Sequence, residues 1–349
     1  MTRLLVTGGA GFIGSHIVQA AVARGWSVRV LDSLRPDVHG SRPVLPDAVD
    51  LHVGEVADRS ALDAALDGID VVCHQAAKVG LGVDLQDAPD YARSNVLATA
   101  ELVAGLVRHD VSRVLCASSM VVYGEGMYRG RHGDVRPPSR RSSDLGAGRF
   151  DPQDPETGEA LDPALLGEDA ALDPRNVYAV TKLAEELLLA SWAREVGGTL
   201  ANLRYHNVYG PGMPRNTPYA GVASLFRSAI ERGEAPRVFE DGAQRRDFVH
   251  VHDVATANIA AVGWSAAQQP GTVRAFNIGS GEVTTILQMA TALATNAGAP
   301  APVVTGEFRA GDVRHITASS DRARRELDWQ PVVGFAQGMR EFATARLRD

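Results

Sequence analysis

Arg3-Leu4-Leu5-Val6-Thr7-Gly8-Gly9-Ala10-Gly11-Phe12-Ile13-Gly14-Ser15 heads a chain of 349 residues. Leu4 to Val6 is a short apolar run with the character of a buried strand, and a helical pattern begins near Phe12. Gly8, Gly11 and Gly14 occupy the turn between them. Residues without a Cβ let the backbone turn sharply and let a pyrophosphate approach it. The helix that follows directs free N–H groups and a positive dipole end at such a group. A glycine triplet alone can also be an ordinary strand-to-helix turn. Here it stands between a strand and a helix, and an acid, Asp32, closes the next strand (Ser27 to Leu31) at the expected distance. A carboxylate there accepts the adenosine ribose hydroxyls and repels a 2′-phosphate, which favours NAD over NADP.

The bulk properties narrow the field. The formal net charge is −7, with 42 acidic against 35 basic residues, which argues against a nucleic-acid or anionic-membrane surface. Cys73 and Cys116 lie in apolar runs and read as buried thiols, with no disulfide framework and no metal knuckle. No run has the length of a membrane span, and the first apolar stretch is the strand of the glycine motif rather than a signal peptide. A soluble, cytoplasmic protein is expected.

Strands then alternate with helices: Val49 to Val53, Ala61 to Leu66, Val71 to His74, Pro89 to Arg108 and Val114 to Ala117. Such alternation predicts an α/β fold with a doubly wound parallel sheet. Glu55 reads either as a surface turn or as a partner of the adenine amino group. Ala76 and Ala77 are small enough for a cofactor to lie close. Asn95 falls inside a helix, where its propensity is poor; it is either exposed or a polar tether near the nicotinamide. Glu125 to Asp173 breaks the alternation, being rich in Gly, Pro, Arg and Asp. It reads as a structureless insertion over the site mouth, with most of its arginines (Arg129, Arg131, Arg136, Arg140, Arg141 and Arg149) solvated.

A strong helix from about Asn176 to Val196 carries Tyr178 and Lys182. Their i, i+4 spacing puts both on one face, although an isolated pair of this kind is usually an exposed lysine beside a packed tyrosine. A free phenol titrates near about 10, and a cation one turn away, with a positive nicotinamide nearby, favours the phenolate. A base works best when it titrates near the working pH. Ser119, at the end of a neighbouring strand, can hold the same substrate oxygen. The three together suit alcohol oxidation by hydride transfer to NAD.

With these residues in view, the chain resembles an extended short-chain dehydrogenase/reductase of the NAD-dependent sugar epimerase/dehydratase family along nearly its whole length. The resemblance rests on Thr7 to Gly14, His74-Gln75-Ala76-Ala77, Ser118-Ser119 to Tyr123-Gly124, and the Tyr178–Lys182 pair. Arg204 to Gly212, Arg246 to Val251 and Asn277 to Gly281 match as well. It implies a Rossmann domain over residues 1–206, with the insertion at 125–173. A smaller, mixed α/β nucleotide-sugar part would span 207–349, with segments crossing back to the sheet. It implies Tyr178 as base, Lys182 as its electrostatic partner and ribose ligand, and Ser119 as the hydroxyl partner. The expected NAD contacts are Gly8, Gly11, Phe12, Ile13, Gly14, Asp32, Ser33, Glu55, Val56, Ala76, Ala77, Lys78, Asn95, Ser118, Tyr178, Lys182, Tyr205 and Val208. The expected substrate contacts are Ser119, Met120, Asn207, Val222, Arg246 and Arg309. Of these, Asn207 and the two arginines would meet the diphosphate, because a guanidinium fork matches phosphate oxygens. Glu55 stands where the family usually has Asp, and His206 where it usually has Phe.

Dehydratases and decarboxylases of the family carry an acid just after the Ser/Thr, whereas Met120 and Val121 cannot transfer protons. What remains is a C4 epimerase acting on a dTDP- or UDP-hexose through a transient 4-keto sugar. The alternatives are a nucleotide-sugar 4-ketoreductase or another oxidoreductase or dehydratase of the family, and a catalytically silent NAD-binding protein. The insertion and Asn216 to Val222 are similar to dTDP-L-rhamnose 4-epimerase-like members. Cysteines found there in the insertion correspond to Gly130, Asp154 and Thr157, so no zinc site is expected. By resemblance the chain is a homodimer, paired through the helices carrying Asn95 and Tyr178.

Overall fold

The computed structural model describes residues 1–348 apart from 37, 41–42, 81–84 and 216–220. Part of the expected loop at 35–47, and most of the Asn216 to Val222 motif with the first residue of the helix expected from Ala220, lie outside the described residues.

β1 (Arg3–Thr7) feeds α1 (Phe12–Ala23), followed by β2 (Ser27–Asp32) and β3 (Asp50–Val53). α2 (Arg59–Leu66) starts where the Asp58 carboxylate accepts the N–H groups of Ser60 and Ala61, and returns the chain to β4 (Val71–His74). A long helical run then comprises α3 (Ala88–Tyr91), a π-helical segment (Ala92–Leu97) and α4 (Ala98–Arg108). β5 (Arg113–Ser119) ends in a 3₁₀ turn, Met120–Tyr123. Within the insertion lie β6 (Met127–Gly130), β7 (Gly133–Val135), α5 (Ser142–Gly146) and β8 (Asp162–Ala164). α6 (Val177–Val196) and β9 (Thr199–Tyr205) complete the pattern read in the sequence.

The remainder comprises β10 (Asn207–Tyr209), α7 (Val222–Glu231), β11 (Arg237–Val238), β12 (Arg245–His250) and α8 (Val251–Ser265). β13 (Val273–Ile278), β14 (Val283–Thr285), α9 (Ile286–Ala297), β15 (Val303–Val304), α10 (Asp321–Leu327) and α11 (Phe335–Thr344) follow.

Among the described residues, seven strands form the central sheet in the order β13-β9-β5-β4-β1-β2-β3, every neighbouring pair parallel. The order reverses between β1 and β4, and in open α/β sheets a ligand binds where such a reversal opens a crevice at the strand ends. α1 and α8 cover one face with a core of Ile17, Val18, Val254 and Phe276. α2, α4 and α6 cover the other with Leu62, Leu102, Leu106 and Leu189. β13 comes from beyond residue 206 yet pairs with β9 in the central sheet. A separate cluster under α7, α9 and α11, including Phe226, Met289 and Phe342, supports a small sheet of β10, β12 and β14.

The insertion departs from the expectation of a structureless loop. β7, β6 and β8 form a three-stranded antiparallel sheet with Tyr128 fully buried. Charge pairs anchor it: Arg140 reaches Glu240 at 2.8 Å, and Arg314, itself 0% exposed, reaches Asp151 at 2.7 Å. Arg140 therefore departs from the solvated arginines, whereas Arg129, Arg131, Arg141 and Arg149 are exposed. Gly130, Asp154 and Thr157 lie side by side. The Asp154 carboxylate accepts the Thr157 N–H at 3.0 Å, and its other oxygen stands 2.7 Å from where a Cβ at 130 would be.

Candidate active site

The site lies at the C-terminal ends of β1, β4 and β5. Gly8 sits at φ +67°, and a Cβ on it would come within 2.7 Å of the Ala76 nitrogen. A Cβ on Gly14 would stand 2.2 Å from the Gly8 oxygen, so the turn closes only with hydrogen at that position. Gly11 is the N-cap of α1 and no side chain caps the helix, which leaves its first-turn N–H groups for an anion. Phe12 and Ile13 turn their side chains into packing, so their contribution to that turn is main-chain.

Asp32 closes β2, 6% exposed. Its carboxylate accepts the N–H groups of Ala10 and Leu34, each at 3.0 Å, and stands 3.4 Å from His39. Burial alone would push it up, but His39 and those N–H groups together hold it below the ordinary carboxylate value. Ser33 is the next residue, half-buried. Glu55 is exposed and Val56 buried at the turn into α2.

Asn95 is fully buried, which excludes the exposed alternative. Its carboxamide accepts the Lys78 N–H at 2.7 Å and donates to the Lys78 carbonyl at 3.0 Å and the Thr181 hydroxyl at 2.9 Å. One side chain thus fixes the segment after β4 (Ala76, Ala77 and Lys78) to the helix that carries Tyr178 and Lys182. The Lys78 ammonium itself is drawn to Asp90 at 2.7 Å.

The structure brings Ser119, Tyr178 and Lys182 together. Asn176 starts α6 by accepting the Ala179 N–H at 2.8 Å, which sets Tyr178 in the first turn with Lys182 one turn on. The Ser119 hydroxyl accepts the Val121 N–H at 3.4 Å and stands near enough to Tyr178 to pull its phenol down, and the rings of Tyr91 and Tyr178 meet at 6.1 Å. The Lys182 ammonium, 4% exposed, is bound by the Glu185 carboxylate at 2.8 Å. Burial pushes the Tyr178 hydroxyl up, Lys182 pulls it down and Glu185 opposes Lys182; the net is a phenol above its ordinary value. Lys182 thus acts in the expected direction, and burial outweighs it. Burial disfavours the Lys182 charge, yet Glu185 and Tyr178 outweigh that and keep it protonated.

Other expected residues sit differently. The Ser118 hydroxyl donates to Glu186, which also takes Arg204 at 2.8 Å. Its side chain is thereby engaged within the fold. The Tyr205 hydroxyl bonds Gln75 and Asn258 in the α8-side core. Val208 packs partly buried against the same core.

Among the residues expected to contact substrate, the Asn207 amide oxygen is buried without a partner among the described residues. The Arg246 guanidinium donates to the carbonyls of Arg245, Val313 and Arg314 and makes no ion pair among the described residues, with the Glu125 and Asp312 carboxylates acting on it from further away. Arg309 is exposed, its guanidinium 5.7 Å from the Phe239 ring centre. Met120 lies half-buried against the Val122–Tyr123 cluster, and Val222 opens α7. His206 is 4% exposed and neither ring nitrogen has a partner among the described residues. Burial, with Arg246 nearby, pushes it down to about 3, so the imidazole is neutral. Glu185, which binds Lys182, gives no signal in the sequence, where it looks like half of a charged surface pair.

Among the described residues, no helix is long and apolar enough to cross a membrane. Residues 4–279 match the model of the NAD dependent epimerase/dehydratase family. The chain is 36% identical over 350 residues to a dTDP-L-rhamnose 4-epimerase of Burkholderia thailandensis, covering 98% of this chain and 94% of that protein. Among solved structures, a UDP-glucose 4-epimerase of Thermotoga maritima with UDP-glucose superposes with a TM-score of 0.78 at 27% identity, covering 98% of this chain and 97% of that one. A Thermus thermophilus UDP-glucose 4-epimerase in complex with NAD gives 0.75 at 29% identity, covering 98% of each chain.

Proposed function

The chain belongs to the NAD-dependent epimerase/dehydratase family, and from that premise we propose that it is a nucleotide-sugar 4-epimerase, inverting C4 of a dTDP- or UDP-hexose through a transient 4-keto sugar. One observation carries this reading. Tyr178 lies on α6 with Lys182 one turn on, and Ser119 and Lys182 both act to lower its phenol, while Met120 and Val121 stand where a dehydratase needs an acid.

The residues present fit NAD. The turn closes only because Gly8 and Gly14 lack a Cβ, and beyond it the first turn of α1, with no side-chain cap, offers its N–H groups to a pyrophosphate. Asp32 lies at the ribose end, where a negative charge disfavours a 2′-phosphate, and Asn95 orders the segment against which the nicotinamide would rest. NAD, when bound, supplies a reversible hydride acceptor. Tyr178 takes the proton of the sugar C4 hydroxyl and later returns it, Ser119 holds that oxygen, and Lys182 favours the phenolate and bonds the nicotinamide ribose. Asn207, Arg246 and Arg309 hold the diphosphate, and Met120 and Val222 line the substrate pocket. The labour divides between a dinucleotide part over 1–206 and a substrate part over 207–349.

The protein acts as a homodimer. Leu97, Val180 and Leu187 are 47%, 52% and 60% exposed on the helices carrying Asn95 and Tyr178, an apolar face that suits pairing with a second copy. Two buried free thiols suit the reducing cytoplasm.

Purified protein incubated with dTDP- and UDP-hexoses in deuterated water tests the activity. Appearance of the C4 epimer without net NADH supports it. A 4-keto-6-deoxy product, or stoichiometric consumption of NAD(P)H, overturns it.

A further inference from the structure

Lys182 and Glu185 form an ion pair at 2.8 Å with side chains 4% and 0% exposed. A helix-surface pair three residues apart is worth only tenths of a kcal/mol, and this one is not on a surface. A buried ion pair is a poor stabiliser because desolvating both charges offsets their attraction. The second Glu185 oxygen has no partner among the described residues, and the first also receives the Cys116 thiol, 3.8 Å away. An incompletely satisfied carboxylate behind the lysine of the reacting pair is costly unless it acts on that pair.

We propose that Glu185 is a positioning residue for the Tyr178–Lys182 pair: its carboxylate holds the Lys182 amine in place and sets how much of that positive charge the Tyr178 phenol feels. The spacing supports this. Tyr178, Lys182 and Glu185 follow at i, i+4 and i+7 on one face of α6. Burial pushes Glu185 up to about 7 against the pull of Lys182; above that, its charge offsets part of the lysine's field at the phenol, whereas an uncharged side chain would leave the amine unopposed. The Tyr178 shift carries both influences with opposite signs.

Other ionisable groups around the trio leave this role to Glu185. On α6 itself, Glu186 is bound by Arg204 from β9. From β5, Cys116 is a neutral thiol that burial pushes well up. From β4, His74 is pushed down to about 3 by burial and by Lys182, and is neutral. Tyr91 of α3 gives its hydroxyl to the Val79 and Gly80 carbonyls, and Tyr123 of the 3₁₀ turn bonds Asn277 and Arg204.

The inference rests on the role proposed for Tyr178, so its test avoids turnover. The phenolate of Tyr178 is titrated by ultraviolet difference absorbance in NAD-loaded protein, each form read against its own Tyr178→Phe partner. Glu185→Gln is expected to lower the midpoint by about one pH unit, since a charge within a few ångströms shifts a neighbour by that order. Glu185→Asp, charged but one methylene shorter, should fall between the two. An unchanged or raised midpoint in Glu185→Gln overturns the proposal. Should that variant fail to fold, an unchanged midpoint in Glu185→Asp does the same. A protein that shifts as expected yet epimerises no sugar defeats the proposed activity alone; epimerisation without the shift defeats this inference alone.

Discussion

Asn95 donates a 2.9 Å hydrogen bond to the Thr181 hydroxyl, 86 residues away and one position before Lys182. The same carboxamide pairs with both main-chain polar groups of Lys78. Asn95 lies within the π-helical segment, a departure from regular helix of the kind found at functional sites. Asn95→Ala removes its three hydrogen bonds to the Lys78 main chain and the Thr181 hydroxyl, a loss of about 1–3 kcal/mol for a buried polar group. We expect a fall in Tm of several degrees and at least a tenfold loss of epimerisation rate, measured by calorimetry and by NMR of the sugar anomeric protons. A Tm drop with an unaltered rate would reduce Asn95 to scaffold.

The glycine turn permits a sharper test. At Gly14 an added methyl would sit 2.2 Å from the Gly8 oxygen and 2.8 Å from the Gly9 Cα. Both are backbone, so the strand–helix junction itself must shift. Gly14→Ala should yield a folded protein that purifies without NAD and regains little activity when NAD is added. Nucleotide released by acid and quantified by chromatography reads the outcome, and wild-type occupancy in the variant would contradict it.

How far the sequence could be read depends on how far apart the interacting residues lie. The turn from Thr7 to Gly14 and the Tyr178–Lys182 spacing are local, and both emerge in the structure as the residues themselves indicate. The seven-stranded sheet was legible through its apolar runs, because strands buried on both faces carry few polar residues. The contribution of β13 to that sheet was legible only as a short strand, since its partner β9 lies some seventy positions earlier. Asn95 and the insertion depended on contacts that no window of sequence contains. The strands β6, β7 and β8 are of three or four residues, too short to show a period. Their anchors, Glu240 and Arg314, come from a different part of the chain.

Those anchors carry a prediction of their own. Arg314 is 0% exposed and bonds Asp151 of the insertion, Glu240 and Asp241. Removing one member of a buried charge cluster leaves the others uncompensated, at a cost of about 3–5 kcal/mol. Asp151 and Asp241 are partly exposed, so water replaces some of the loss and the lower end is expected for Arg314→Met. Limited proteolysis should then cut first within 125–173 while the Rossmann sheet stays protected. Cleavage elsewhere first would show that Arg314 does not anchor the insertion.

His206 gives the pH dependence. Burial, then Arg246, pushes its imidazole from 6.5 down to about 3, so between those values the unfolded chain binds a proton that the folded chain refuses. Stability linked to this group is complete above about pH 6.5 and declines as pH falls, by about 1.4 kcal/mol for each unit until pH 3. His74, also pushed down to about 3, acts in the same direction. His206→Phe removes the contribution of this group, together with two buried nitrogens that have no partner among the described residues. Urea unfolding at pH 7 and pH 5 should therefore show the variant at least as stable as wild type at pH 7. At pH 5 it should gain a further roughly 2 kcal/mol, the product of 1.5 pH units and that slope. Equal acid sensitivity of the two proteins would mean that the imidazole is protonated in the folded state. In that case the ring could not enter the substrate side as a neutral hydrogen-bonding group.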